Sequence, residues 1–118
     1  MKSFFSVFGG IFLLVMINGC SNEGEITMEK NAVLLDVRTP EEHKEGYLDG
    51  ALLLPLAELE SKISGEVPEK TTPIYIYCRS GRRAGTAVEK LTRLGYTDLH
   101  NLGGLRDAQE KCNLPIKR

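Results

Sequence analysis

From residue 27 onward, the apolar and polar positions switch repeatedly between a continuous or two-residue period and a helical one. Ala32-Val33-Leu34-Leu35-Asp36-Val37 is an apolar run broken only by Asp36, which predicts a short strand buried on both faces. Thr39-Pro40-Glu41-Glu42 then supplies a hydroxyl cap, a proline at the first position and acids in the first turn. Those are the marks of a helix start, and Gly46 stops the helix. Ala51 to Leu54 reads as another buried strand ended by Pro55, and Leu56 to Ile63 as a helix ended by Gly65. Pro73 introduces the β-prone Ile74-Tyr75-Ile76-Tyr77, which runs straight into Cys78. Ala84, Ala87, Val88, Leu91 and Leu94 recur at helical spacing, and Gly95 caps that helix. Leu99 to Leu102 predicts a last short strand, and Gly103-Gly104 opens a final helix. Strands alternating with helices at this spacing predict a single α/β domain with a mainly parallel central sheet flanked by helices.

The leader follows a different pattern. Lys2 precedes an apolar stretch, Phe4 to Ile17, interrupted only by Ser6, Gly9 and Gly10. Its 14 residues fall short of the roughly 20 that a membrane span needs, so residues 1–19 read as an export signal. Ile17-Asn18-Gly19-Cys20 puts a small residue before a cysteine directly after the apolar run, and resembles the lipobox of bacterial lipoproteins. That resemblance implies acylation of Cys20, a short tether over residues 20–26 and a folded domain over 27–118. Ser21, rather than Asp, after the cysteine implies the outer membrane by the same resemblance. The expected location is the bacterial cell envelope, facing the periplasm, with membrane contact only through an N-terminal lipid anchor. An ordinary cleaved signal and an uncleaved anchor are the alternatives.

Composition adds mostly exclusions. The chain has 118 residues, 42% of them hydrophobic and 26% charged, and no Trp. That is ordinary for one soluble globular domain and unlike low-complexity, collagen-like or multi-span membrane chains. A formal charge of −1 provides no broad basic surface for nucleic acid. The charge is uneven, however: residues 20–69 hold 4 basic and 12 acidic side chains, and residues 70–118 hold 10 and 4. Arg79, Arg82 and Arg83 concentrate that second half around Cys78.

Cys78-Arg79-Ser80-Gly81-Arg82-Arg83 joins a predicted strand end to a predicted helix start. Ligands of open parallel sheets bind at the carboxyl ends of strands. A helix N-terminus there offers unpaired N–H groups and the positive end of its dipole. Gly81 allows the loop to curl into a nest of converging amides, and the nearest anion for such a nest is the Cys78 thiolate. These residues predict an exposed nucleophilic cysteine in an anion-binding cradle. With Cys20 acylated, Cys78 and Cys112 could still pair as a disulfide, but the basic loop favours a reactive thiol over a staple.

Cys78-x-x-Gly81-x-Arg83 is similar to the active loop of rhodaneses. Asp36-Val37-Arg38, Glu42 and Gly46-Tyr47-Leu48-Asp49-Gly50-Ala51 resemble that family's upstream signature. Leu94-Gly95-Tyr96, Leu102-Gly103-Gly104-Leu105 and Leu114-Pro115 match its later landmarks. The resemblance spans about residues 27–118 and is strongest to small periplasmic single-domain members of the phage-shock-protein E type. It implies a thiosulfate sulfurtransferase that works without a metal or organic cofactor. In the implied reaction Cys78 takes the outer sulfur of thiosulfate as a persulfide and passes it to cyanide or a thiol. The loop from Arg79 through Ser80, Gly81, Arg82 and Arg83 to Ala84 is expected to hold substrate, with Arg79 and Arg82 attracting the dianion. Arg83 is expected to pair with Asp36, and Asp36 and Arg38 to tie the strand end to neighbouring loops. Tyr47, Leu53 and Ala108 depart from the family, which commonly has His, Asn and Trp there. Ala108 is expected to widen the approach to the loop.

Other readings of the same residues are weaker. Ser80 has no nucleophile-elbow pattern. His43, expected to pack, and His100, expected to be exposed, share no ligand-pair spacing with Cys78 and Cys112. A phosphatase resemblance would put arginine six positions after the cysteine, where Ala84 stands. A non-catalytic binding module and a thiol redox role for Cys78 and Cys112 remain as rival functions.

Overall fold

The first predicted run becomes an inner strand. In the computed structural model, which describes residues 26–118, β1 (Val33–Asp36) lies between β3 (Leu52–Leu53) and β4 (Ile74–Cys78). With β5 (Leu99–Gly104) they form an all-parallel sheet of order β3-β1-β4-β5. The expected leader, Cys20 and nearly all of the tether lie outside the described residues. Among the described residues no helix is long and apolar enough to cross a membrane.

Alternation along β4 separates two apolar layers. Ile74, Ile76 and Cys78 face one cluster with Leu59, Ile63 and Leu91; Tyr75 and Tyr77 face another with Leu48, Leu102 and Ala108. The first is covered by α2 (Leu59–Glu66) and α3 (Arg82–Arg93). The second is covered by α4 (Leu105–Cys112) and by a small antiparallel ribbon, β2 (Tyr47–Leu48) with β6 (Ile116–Lys117). Leu35, Leu59, Ile74, Ile76 and Leu91 are fully buried, and each such side chain contributes about 1.5–3 kcal/mol by leaving water. The helix α1 (Pro40–Glu45) starts as expected, with a reciprocal cap between Thr39 and Glu42.

Several boundaries differ from the sequence expectation, among them the strand expected over Ala51 to Leu54, which pairs only over Leu52–Leu53. A 3₁₀ turn, Leu56–Glu58, precedes α2, which runs through Gly65 instead of ending there. Val67 explains this: it is 2% exposed, and its carbonyl accepts a 2.6 Å hydrogen bond from the Tyr96 hydroxyl, so packing carries the chain past the glycine. The last strand extends two residues to Gly104, because a bulge opposite Ile76 and Tyr77 lets it continue through Gly103. The β2–β6 ribbon was not expected at all, since two-residue strands leave no alternation to read.

Candidate active site

The parallel sheet delivers the end of β4 to the N-terminus of α3, and only Arg79, Ser80 and Gly81 separate the two. Gly81 sits at φ 97°, a left-handed conformation that glycine adopts without strain, and caps α3. Its N–H donates a 2.9 Å hydrogen bond to Cys78 Sγ, so the loop curls over the sulfur as the sequence implies. Cys78 itself is not exposed: it is 1% accessible, because its side chain points from the strand end into the layer beneath α3. Ala84 is fully buried on α3, so only its backbone is available to the loop.

The back of the loop rests on the end of β5. An added Cβ on Gly81 would lie 3.2 Å from Gly103 Cα, and one on Gly104 would overlap the Arg79 carbonyl oxygen. Asn101 completes this wall, donating through Nδ2 to the Gly81 carbonyl at 3.2 Å and accepting from the Gly103 N–H at 2.8 Å.

Its front is held by charge. Arg83 grips Glu42 of α1 with both guanidinium arms, at 2.8 and 2.9 Å, and Arg79 approaches the same carboxylate at 3.8 Å. The expected Arg83–Asp36 pair is therefore not formed. Asp36 is fully buried and already saturated, accepting from the Arg38 N–H (3.0 Å), its Nε (2.9 Å) and its Nη2 (2.7 Å). It also accepts from the Tyr77 hydroxyl at 3.1 Å and lies 2.9 Å from His43 Nδ1. Arg38 goes on to the Gly46 carbonyl at 2.7 Å, so this pair does tie the strand end to the next loop. The hydrogen bonds from Arg83 hold the Glu42 carboxyl at about 2. Burial alone would push Asp36 up, but hydrogen bonds from Arg38 and His43 hold it below the ordinary carboxylate range. Burial pushes the Tyr77 phenol up.

Two loop cations face solvent, Arg79 with only a long contact to Glu42 and Arg82 with no ion pair among the described residues. Arg79 is 77% exposed, and Arg82 points to solvent. Beside Arg79 opens a cleft of about 710 Å³, also lined by Arg106, Arg118, Glu45 and Gln109. Ala108 is fully buried in the layer under α4 and does not itself line the cleft. Tyr47 stacks on His43 with centroids 4.1 Å apart, which adds a polar role for His43 to the expected packing one. His100 is half-exposed, stacked on Tyr75 at 4.4 Å and 2.6 Å from Asp98. Cys78 and Cys112 are both free thiols. The sheet lies between them, Cys78 in the α2–α3 layer and Cys112 against the α4 layer, so the disulfide alternative fails on geometry. Burial pushes the Cys112 thiol up, away from reactivity. Among the described residues no three His, Cys, Asp or Glu side chains gather to hold a metal.

The sequence reading passed over Glu42 as a clamp and Asn101 altogether. Glu42 carried a signal as a capping acid and as part of the upstream signature, but none as a partner of the loop, and Asn101 only as a polar residue shortly before two glycines.

A buried cysteine under a tight basic loop, at the end of an inner strand of a parallel sheet, defines a class of cysteine-loop α/β domains. Within that class the chain belongs to the rhodanese family: residues 24–111 match the family described as Rhodanese-like domain. It is 41% identical over 73 residues to thiosulfate sulfurtransferase PspE of Escherichia coli K12, covering 62% of this chain and 70% of that one. A sulfurtransferase of Allochromatium vinosum is 35% identical over 104 residues, covering 86% and 95%. Among solved structures, a rhodanese with anions from E. coli superposes with a TM-score of 0.67 at 36% identity, covering 74% of this chain and 98% of that one.

Proposed function

We propose that this chain is a thiosulfate sulfurtransferase whose domain spans residues 27–118 and whose nucleophile is Cys78. The observation that carries the reading is the Cys78 sulfur under the Gly81 N–H, with the exposed Arg79 and Arg82 in the same loop. The Cys78 thiolate attacks the outer sulfur of thiosulfate; its S–S bond breaks and its electron pair leaves with sulfite. The loop amides from Arg79 through Ser80 to Ala84 hold the terminal sulfur of the resulting persulfide. Cyanide or a thiolate then attacks that sulfur, the S–S bond to Cys78 breaks, and the thiolate returns. This is covalent catalysis with ping-pong kinetics. Arg79 and Arg82 attract the dianion, while Arg83 holds the loop through Glu42. The leader supports a lipid-anchored envelope protein, acylated at Cys20 and facing the periplasm of its cell.

Thiocyanate production from thiosulfate and cyanide by the full chain, beside Cys78→Ala, tests the chemistry. Activity that vanishes in the variant supports both enzyme and nucleophile. Inactivity of freshly reduced protein would overturn the thiosulfate reading and favour another sulfur donor or a binding module. Metabolic labelling with palmitate, lost in Cys20→Ala, tests the anchor.

A further inference from the structure

We propose that Asn101 is a positioning residue for the Cys78 loop, a proposal that rests on the sulfur-transfer reading above. Its amide bridges two backbone groups that otherwise belong to different elements. Nδ2 donates to the carbonyl of Gly81, the cap of α3, and Oδ1 accepts from the N–H of Gly103 in the β5 bulge. Across a trans peptide the C=O and the following N–H point in opposite directions. Holding the Gly81 carbonyl toward β5 therefore turns the Arg82 N–H the other way, into the cradle. The same glycine presents its own N–H to Cys78 Sγ at 2.9 Å, so one residue sets both amides.

The Gly81 carbonyl is also bonded by the Gly85 N–H at 3.0 Å, the first turn of α3. That bond fixes the carbonyl relative to the helix alone. Asn101 fixes it relative to the sheet, and the sheet is what carries Cys78. The second bond holds the side chain in place: accepting from Gly103 leaves Nδ2 facing the loop. The bulge contributes the geometry, because its extra residue and the positive φ of Gly103 (90°) bring that N–H round to the Asn101 oxygen.

Two variants separate positioning from simple support of the bulge. Asn101→Ala removes both bonds. Asn101→Asp keeps an acceptor for Gly103 but sets an oxygen against the Gly81 carbonyl. Single-turnover persulfide formation on Cys78 of the full chain, at saturating thiosulfate, is expected to slow at least about tenfold in both. Half-saturating thiosulfate should move less than about threefold in the alanine variant, because Arg79 and Arg82 are untouched. An aspartate variant with the wild-type maximal rate would overturn the proposal and reduce Asn101 to a brace for the bulge. A second readout is independent of sulfur transfer: iodoacetamide should alkylate the buried Cys78 at least about threefold faster in both variants. Unchanged alkylation overturns the positioning role even if the wild type proves inactive with thiosulfate, an outcome that would sink only the reading of function.

Discussion

Arg83, in the first turn of α3, and Glu42, in the first turn of α1, meet end-on, Nη1 and Nη2 each donating to one carboxylate oxygen in two parallel hydrogen bonds of 2.8 and 2.9 Å. They lie 41 residues apart, and their pairing joins the Cys78 loop to the helix that follows β1. A planar guanidinium on a carboxylate fixes orientation as well as distance, which an ammonium could not do. Glu42 is itself held by the Thr39 N–H at 3.0 Å, so the clamp is anchored at its base.

Glu42→Gln should therefore loosen the loop and cost stability. Arg83 is about a third exposed, so the loss in urea unfolding should be modest, about 1 kcal/mol. The pH dependence has a definite sign. Glu42 titrates ordinarily at 4.5 and is held at about 2 in the fold, so its pairing stabilises the protein above pH 4.5 and is lost as pH falls toward 2. Across that window the wild type should lose more stability than the glutamine variant. Parallel curves would show that the pair contributes nothing.

Gly104 should tolerate no side chain. A Cβ there would overlap the Arg79 carbonyl, a backbone atom that no rotamer change can move. Gly104→Ala is expected to destabilise by about 1–3 kcal/mol and to lower sulfur uptake by pushing the loop off β5. Gly85 makes the contrast, since a Cβ there meets only the Asn101 amide at an ordinary 3.6 Å. Gly85→Ala, inside α3, should leave thermal stability unchanged or raise it by up to about 1 kcal/mol. Equal losses from both substitutions would contradict the close approach of loop and strand.

Asp36→Asn removes a buried charge but keeps the shape. Arg38 is only 5% exposed and would be left without its carboxylate, while Tyr77 would lose its charged acceptor. Breaking a buried pair from one side costs about 3–5 kcal/mol, and chemical denaturation should report a loss of that size. A change below about 1 kcal/mol would place Asp36 outside the structural centre that its hydrogen bonds describe.

The legible parts of the fold were those with a local cause. Apolar runs gave β1 and β4, helical spacing gave α3, and Thr39 with Pro40 gave the start of α1. The loop was legible because Cys78, Gly81 and three arginines are adjacent in the chain. Pairings across the fold were not legible. Nothing local distinguishes Glu42 from Asp36 as the partner of Arg83, since both lie more than forty residues before it and both follow from motif positions. Only the packing of α1 against the loop, with Asp36 already enclosed by Arg38, His43 and Tyr77, decides between them. The burial of Cys78 escaped the sequence for a related reason. Parity places Cys78 with Ile74 and Ile76, but both faces of β4 are buried, and what encloses the sulfur is the packing of α2 and α3 against that face.

Arg79 should act through long-range attraction rather than through structure. Its guanidinium is 77% exposed and only 3.8 Å at closest from the Glu42 carboxylate, which Arg83 already occupies. A charge so exposed attracts a dianion in proportion to how little salt surrounds it. Arg79→Ala should lower kcat/KM for thiosulfate by about threefold to tenfold at low ionic strength, with the gap closing as salt is added. Its thermal stability should stay within about 0.5 kcal/mol of wild type, as for other exposed substitutions. Arg83→Ala should behave in the opposite way, losing stability and maximal rate with a deficit that salt does not erase. If instead the Arg79 deficit persisted unchanged at high salt, its role would be a direct contact with bound substrate, and the division of labour among the loop arginines would have to be redrawn.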